Sequence, residues 1–325
     1  MSKEVIHNSP KVLVILGPTA SGKSELAVKI AKQFNGEIIS ADSRQVYCGM
    51  DIGTAKPKLA TSNKRQGTRT ISPATYRMSL KGIPHYLIDI KNPNEPYTVA
   101  DYKRDAIRAI KKILQKGKLP ILVGGTGLYI KAVIDNLEIP RIKPNPLLRQ
   151  KLERELKARG LNYLYEKLIK LDPEAVYILD NYNPRRVIRA LEITLGSGKP
   201  FSSQRKAGTK IFNALKIGLH LPREKLKEQI YKRADKMIEV GLVNETEQLI
   251  KKYSPELPVF DAIGYREIIQ YLQNKISLTE AINLIKKNTW HYAKRQMTWF
   301  RKDKEINWIN NLSEVEKSIK SFLKK

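Results

Sequence analysis

Gly17-Pro-Thr-Ala-Ser-Gly-Lys23-Ser24 is the stretch of this 325-residue chain whose residue types and spacing point most directly to chemistry. It fits G-x-x-x-x-G-K-[ST] in full. The glycines let successive backbone N–H groups turn inward as an anion nest. A helix starting near Gly22 would add its positive dipole end. Lys23 supplies a mobile charge, and the Ser24 hydroxyl can ligate Mg²⁺. Gly17, Pro18, Thr19, Ala20, Ser21, Gly22, Lys23 and Ser24 are therefore the expected phosphate-binding set, with Ser24 the metal contact. Such a nest recognises phosphate groups, not what carries them. An ATP-consuming kinase or ATPase is the default reading, and a diphosphate leaving group on another carbon skeleton is equally compatible.

Asp42 follows the apolar run Ile38-Ile39 and is expected just past a strand's C-terminal end, where open α/β sheets place their sites. A carboxylate there can take a proton from a nucleophile or hold a metal through water. The same residue can equally cap a helix or close an Asx-turn. Asp51 and Asp89 carry the same ambiguity, and the short Leu87-Ile88 run makes Asp89 only a weak match to a Walker B carboxylate. Two basic groups stand out further on. Arg185, Arg186 and Arg189 follow Pro184, which suits the first position of a helix, so they fall in its first turns and favour phosphate contact or stacking on RNA bases. Salt bridges to Glu192 are the alternative for the same face. Lys294, Arg295 and Arg301 are interleaved with Tyr292, Trp299 and Phe300, a pattern that suits a stacking platform, although at least two of the local aromatics are expected in the core.

Alternating elements would position these residues. Strands are expected at Lys11–Leu16, Glu37–Ser40, His85–Ile90, Leu119–Val123 and Ala214–Leu221, with helices at Ser24–Phe34 and Val99–Lys116. This predicts an α/β fold with a parallel sheet. Residues 57–81 read as a long polar surface loop. From residue 137 to 205 the chain reads as helical only, with prolines at 140, 144 and 146 at its entry and Gly196, Gly198 and Pro200 at its exit. Residues 141–210 hold 16 Lys plus Arg against 7 Asp plus Glu, so a basic helical domain (137–205) is expected, inserted into a core made of 1–136 and 206–325. The remainder reads as helical, with a Lys-rich tail beyond Asn310 that should fray.

Composition narrows the class. The net charge of +28 calls for a polyanionic partner, nucleic acid before membrane, unless it reflects only a Lys-rich coding bias. One cysteine, Cys48, excludes a disulfide framework, and four histidines without zinc spacing argue against structural zinc. Val12–Leu16 is far too short for a membrane span and reads as a strand, not a signal peptide, so a cytoplasmic protein is expected.

Taken in order, the motifs resemble one family. They are Gly17–Ser24, Asp42-Ser-Arg-Gln-Val-Tyr47, Gly49–Pro57, Gly82–Asp89, Gly124-Gly-Thr-Gly-Leu-Tyr129, Asn183–Glu192, Arg233–Met237, Ala262–Glu267 and Tyr292–Arg301. Together they look like the tRNA dimethylallyltransferases, also called tRNA isopentenyltransferases, over nearly the whole chain. The resemblance implies a P-loop NTPase-like core with an inserted helical domain. It implies that the loop holds the diphosphate of dimethylallyl diphosphate and not ATP, with Mg²⁺ as cofactor. The acceptor would be the exocyclic amine of adenosine 37 in the anticodon stem-loop of tRNA. By the same resemblance Asp42 is the general base, Thr126 lies near the reacting groups and Arg223 holds the diphosphate. Asp42, Ser43, Arg44, Gln45, Thr126, Arg185, Arg186, Arg189, Arg266, Lys294, Arg295 and Arg301 are the residues expected to meet tRNA, in an enzyme working as a monomer. Two departures are visible: Tyr86 stands where the family often has a second His after His85, and residues 58–81 are longer than usual. An adenylate isopentenyltransferase acting on free nucleotide and an RNA-binding ATPase are the competing readings. The basic insertion argues against the first, and the lack of a clear Walker B and arginine finger argues against the second.

Overall fold

Strand β1 (Lys11–Leu16) lies in the interior of a seven-stranded sheet, paired on both sides, and its β-branched and leucine side chains are buried on both faces. The computed structural model describes residues 9–57, 76–78, 82–140, 145–177, 179, 183–204, 207–309 and 311–324. Strands β2 (Gly36–Ser40), β3 (Tyr76–Met78), β4 (Pro84–Tyr86), β5 (Leu119–Gly124), β6 (Asn213–Gly218) and β7 (Ile306–Trp308) complete the sheet in the order β3-β4-β2-β5-β1-β6-β7. Every neighbouring pair is parallel except β3–β4. Leu16 is in register with Gly124 on one side and Gly218 on the other, and Ser40 with Val123. The C-terminal ends of β1, β2, β5 and β6 therefore share one edge, and the loops leaving them meet there.

Alternation along β1 assigns the two faces of the sheet. Val12, Val14 and Leu16 join a core completed by α2 (Val99–Gln115), α3 (Gly127–Ile134), α6 (Arg223–Glu239), α7 (Leu242–Lys252), α8 (Tyr265–Leu272) and α9 (Leu278–Phe300). Leu13 and Ile15 face α1 (Lys23–Gln33) and α10 (Leu312–Lys324). Helices α2 and α9 start at capping boxes, Thr98 with Asp101 and Ser277 with Glu280, which satisfy their first free N–H groups. Among the described residues no helix is long and apolar enough to cross a membrane.

The chain divides into two compact units, Met1–Ile134 with Lys210–Lys325, and Asp135–Thr209. The second is built from α4 (Pro146–Leu171), α5 (Pro184–Ser197) and short 3-10 turns around its own core of Leu152, Leu164, Leu168, Val187, Leu191 and Phe201. Asn145 and Asn183 cap α4 and α5, each with proline in the first turn. Gly160, at φ 78°, breaks α4 into two segments.

Four local expectations are corrected. The strand expected over His85–Ile90 stops at Tyr86, because Leu87 and Asp89 adopt left-handed φ of 60° and 56°. The polar stretch 57–81 contains strand β3, and the rest of that stretch, 58–75 and 79–81, lies outside the described residues. The last part of the chain is not all helical, since Ile306–Trp308 adds β7 beside β6. The tail beyond Asn310 does not fray: it forms α10, which buries Val315 and Ile319, one helical turn apart, against the sheet.

Candidate active site

The phosphate loop connects β1 to α1 and is shaped by its glycines. Gly17 has φ 144°, and a Cβ there would meet the Leu219 carbonyl oxygen at 2.3 Å, so only glycine fits between β1 and the chain leaving β6. Gly22, at φ 86°, turns the chain into α1. The Lys23 ammonium donates to the Pro18 carbonyl and lies 3.5 Å from Ser21 Oγ. Burial and the neighbouring Arg233 guanidinium bring its pKa down to about 7, against the opposing pull of Asp42. Ser24 is exposed in the first turn of α1, within reach of a ligand on the loop.

Asp42 follows β2. Its Oδ1 accepts the N–H groups of Arg44 at 2.8 Å and Gln45 at 3.3 Å, so the residue does close an Asx-turn. It also lines a cavity of about 480 Å³ with Thr19, Ser43, Arg44, Arg233 and Tyr292. That volume suits a small organic group or a nucleobase, within the usual range of about 300–1,000 Å³ for such sites. Arg266 and Arg295 add to the basic lining, and Asp261 is its second carboxylate. Thr126, from the loop after β5, accepts the Ser43 N–H through Oγ1 at 3.2 Å and hydrogen-bonds Tyr292, so it backs the Asp42 turn. Burial, reinforced by Asp42, pushes the Tyr292 phenol up to about 12, so it stays protonated. Behind β2, Tyr102 donates to the Ser40 carbonyl at 3.1 Å and stacks on Tyr129 at 3.9 Å.

The remaining expected residues occupy different places. Gln45 is turned to structure, accepting from Ser40 Oγ and donating to the Thr54 carbonyl. Arg223, Lys294 and Arg301 line a second cavity with Pro18 and Trp290, and both Arg223 and Lys294 lie over the Trp290 ring. In the other unit, Arg185 and Arg186 are exposed in the first turn of α5. Arg189 instead joins Arg149 on the buried Glu192, at 3.2 and 2.6 Å. Of the terminal aromatics, Phe300 is core. Tyr86, the departure at β4, is a buried strut: its hydroxyl donates to Glu37 at 2.8 Å and accepts from Lys116 at 2.9 Å. Asp89 and Asp51 both pair with Lys56, at 2.5 and 2.7 Å, so the weak Walker B match is a structural ion pair.

Two residues given no role from sequence prove central. Arg233, on α6, donates to Thr19 Oγ1 at 2.6 Å and faces both Lys23 and Asp42. Gln296, on α9, joins the phosphate loop to the loop after β5. Each is a polar residue on the inward stripe of its helix, beside Ile230 and Ala234 or Ala293 and Phe300. That interruption of an apolar stripe is the signal the sequence offered.

The family model for IPP transferase matches residues 45–303, and that for isopentenyl transferase matches 10–77. The chain is 46% identical over 321 residues to a tRNA dimethylallyltransferase of Pelotomaculum thermopropionicum, covering 97% of this chain and 96% of the relative. The chain belongs to the tRNA dimethylallyltransferase family. Its fold is similar to the full-length tRNA isopentenylpyrophosphate transferase of Bacillus halodurans, with a TM-score of 0.68 and 39% identity over 97% of each chain. It is also similar to a eukaryotic dimethylallyltransferase acting on tRNA, with a TM-score of 0.71 and 30% identity over 94% of this chain and 75% of the other. The core is thus the P-loop NTPase-like sheet of the tRNA dimethylallyltransferases.

Proposed function

We propose that this enzyme transfers the dimethylallyl group of dimethylallyl diphosphate to the exocyclic amine of adenosine 37 in tRNA and releases diphosphate. The observation that carries the reading is the meeting of a carboxylate, Asp42, with the phosphate-loop residue Thr19 and the half-buried Arg233 on one base-sized cavity. An adenine amine is a poor nucleophile, because its lone pair is delocalised into the ring. Transfer therefore needs a good leaving group, an allylic carbon and a proton acceptor. The amine nitrogen forms the new C–N bond to the allylic carbon. The C–O bond to diphosphate breaks, and its electron pair leaves with the diphosphate oxygen. The amine proton passes to Asp42. Lys23 and Arg233 face the negative charge that grows on the departing group, in a site already built to receive it. The adenine must leave its stack to enter the cavity, as in base flipping.

Among the described residues no three His, Cys, Asp or Glu side chains cluster to hold a metal. The exposed Ser24 hydroxyl at the start of α1 is a single hard-oxygen donor of the kind that suits Mg²⁺, which commonly takes one or two protein oxygens and completes its shell with phosphate and water. Ser24 would hold it, and when bound it would neutralise part of the diphosphate charge.

On the RNA side, Arg44, Arg266 and Arg295 rim the cavity, while Arg185 and Arg186 offer phosphate contacts from the inserted unit. The basic inserted unit favours a polymeric acceptor over free nucleotide, since a small acceptor needs no such surface, and an ATPase would lack its Walker B carboxylate, since Asp89 is paired with Lys56. Mass spectrometry of tRNA incubated with the enzyme, dimethylallyl diphosphate and Mg²⁺ tests the reading. One dimethylallyl group should appear on adenosine 37. Unmodified tRNA together with RNA-stimulated ATP hydrolysis would overturn it.

A further inference from the structure

We propose that Gln296 is a positioning residue that fixes the spacing between the donor half and the acceptor half of the site; the inference rests on the prenyl-transfer reading above. The residue is 6% exposed, on the inward stripe of α9. Oε1 accepts the Thr19 N–H at 2.8 Å, and Nε2 donates to the Gly125 carbonyl at 2.9 Å. Thr19 belongs to the loop leaving β1, whose neighbouring groups are Lys23 and Arg233. Gly125 belongs to the loop leaving β5, and the next residue, Thr126, accepts from Ser43 beside Asp42. One side chain therefore ties the backbone that receives the leaving group to the backbone that supports the base.

The chemistry at position 296 is restrictive. The site needs an acceptor on one side and a donor on the other, both at hydrogen-bond distance. A carboxylate cannot donate, and an ammonium or guanidinium cannot accept. Gly125 has been shaped to the same end: a Cβ there would lie 2.2 Å from Gln296 Nε2. The Thr19 N–H is already committed to Gln296, so α9 holds this part of the loop. The next residue, Ala20, sits at φ 62°, a left-handed conformation that costs a non-glycine residue free energy unless its surroundings hold it. The loop is thus set before a diphosphate arrives, and the gap between allylic carbon and amine is set with it.

The test compares wild type, Gln296→Met and Gln296→Glu in the full chain. Met keeps length and removes both hydrogen bonds, whereas Glu keeps the Thr19 contact and loses the donor to Gly125. Steady-state transfer gives kcat and KM, calorimetry gives the affinity for inorganic diphosphate, and hydrogen exchange reads the Thr19 segment. The expected result for Met is faster exchange at Thr19 and a kcat lowered about 10- to 100-fold, the scale of a misplaced near-attack geometry. Diphosphate affinity should weaken by less than kcat falls, because the loop must then be ordered on binding, and the KM for tRNA should stay near wild type. Glu should keep Thr19 protected and still lose kcat, and it carries the test should Met fail to fold. A folded variant with wild-type kcat, or one whose whole loss lies in KM, overturns the positioning role. Absence of transfer by wild type would instead sink the prenyl-transfer reading, and unchanged Thr19 exchange in Met would then still overturn the clamp.

Discussion

Asp42→Asn separates the two jobs that the structure gives this residue. The Asx-turn uses Oδ1, which accepts from the N–H groups of Arg44 and Gln45 at 2.8 and 3.3 Å. An asparagine carbonyl oxygen can accept the same pair, so the turn and the cavity wall should survive. What asparagine cannot do is take the amine proton. Loss of a general base costs about 10²–10⁴ in rate, equivalent to about 3–5 kcal/mol of transition-state stabilisation. Asp42→Ala also removes the base, but it strips both N–H groups of their partner, at about 1 kcal/mol for each lost bond. The Asn variant should therefore melt with wild type, and the Ala variant several degrees lower. Both should lose transfer to a similar extent. The assay is single-turnover formation of the modified adenosine with both substrates saturating, read beside thermal unfolding of the same samples. An Asn variant that folds, binds tRNA and turns over at the wild-type rate would refute the assignment of the base.

Lys23 gives a pH prediction. Burial first, then Arg233, holds its pKa near 7 against an ordinary 10.5, so an incoming diphosphate should raise it and take up a proton above pH 7. Diphosphate affinity should then weaken as pH rises from 7 toward 10, and calorimetry in buffers of different ionisation enthalpy should show the uptake. The same depressed value makes the unfolded chain bind more protons between 7 and 10.5, so this residue's contribution to stability rises with pH over that window. Arg233→Leu should lower transfer more than Arg223→Leu, because only Arg233 shares the cavity with Asp42; equal effects on kcat/KM would place the leaving group nearer the second cavity. Replacing Arg185 and Arg186 with Ala should flatten the salt dependence of tRNA binding by about one or two phosphate contacts, whereas adding Arg189→Ala should mainly destabilise the inserted unit by leaving Glu192 less well paired. Filter binding across a salt series, with thermal unfolding alongside, separates the two.

The sequence was most readable where a single local signal decides the structure. The run Lys11–Leu16 ending on a glycine yields a buried strand and a phosphate loop, because only that combination both fills a sheet and bends sharply out of it. Asp42 was readable as a residue of the right edge, yet its Asx-turn and its place on the cavity turned out to be compatible uses of one side chain. What escaped was non-local. Arg233 and Gln296 meet Thr19 across 214 and 277 residues, and no spacing rule reaches that far. Strand β7 is three residues long and owes its existence to pairing with β6, so it carries no period of its own. Helix α10 was masked by its lysines, which lie around a stripe whose two buried residues do the docking.

The base of the inserted unit has a consequence for how such a protein can be assembled and altered. Leu137 and Ala207 form an antiparallel bridge, Gly208 N–H donates to the Asn136 carbonyl at 3.3 Å, and Asn136 Nδ2 donates to the Thr209 carbonyl at 2.9 Å. The two ends of a long excursion are thereby cinched into a neck. Once the neck closes, the rest of the chain experiences the excursion as little more than a tight turn, with a correspondingly small entropic penalty for its length. Helices α4 and α5 carry their own buried leucines and their own caps, so everything beyond the neck is a self-contained parcel. Changes of length or charge beyond the neck should therefore leave the strand order that aligns base and phosphate loop as it is.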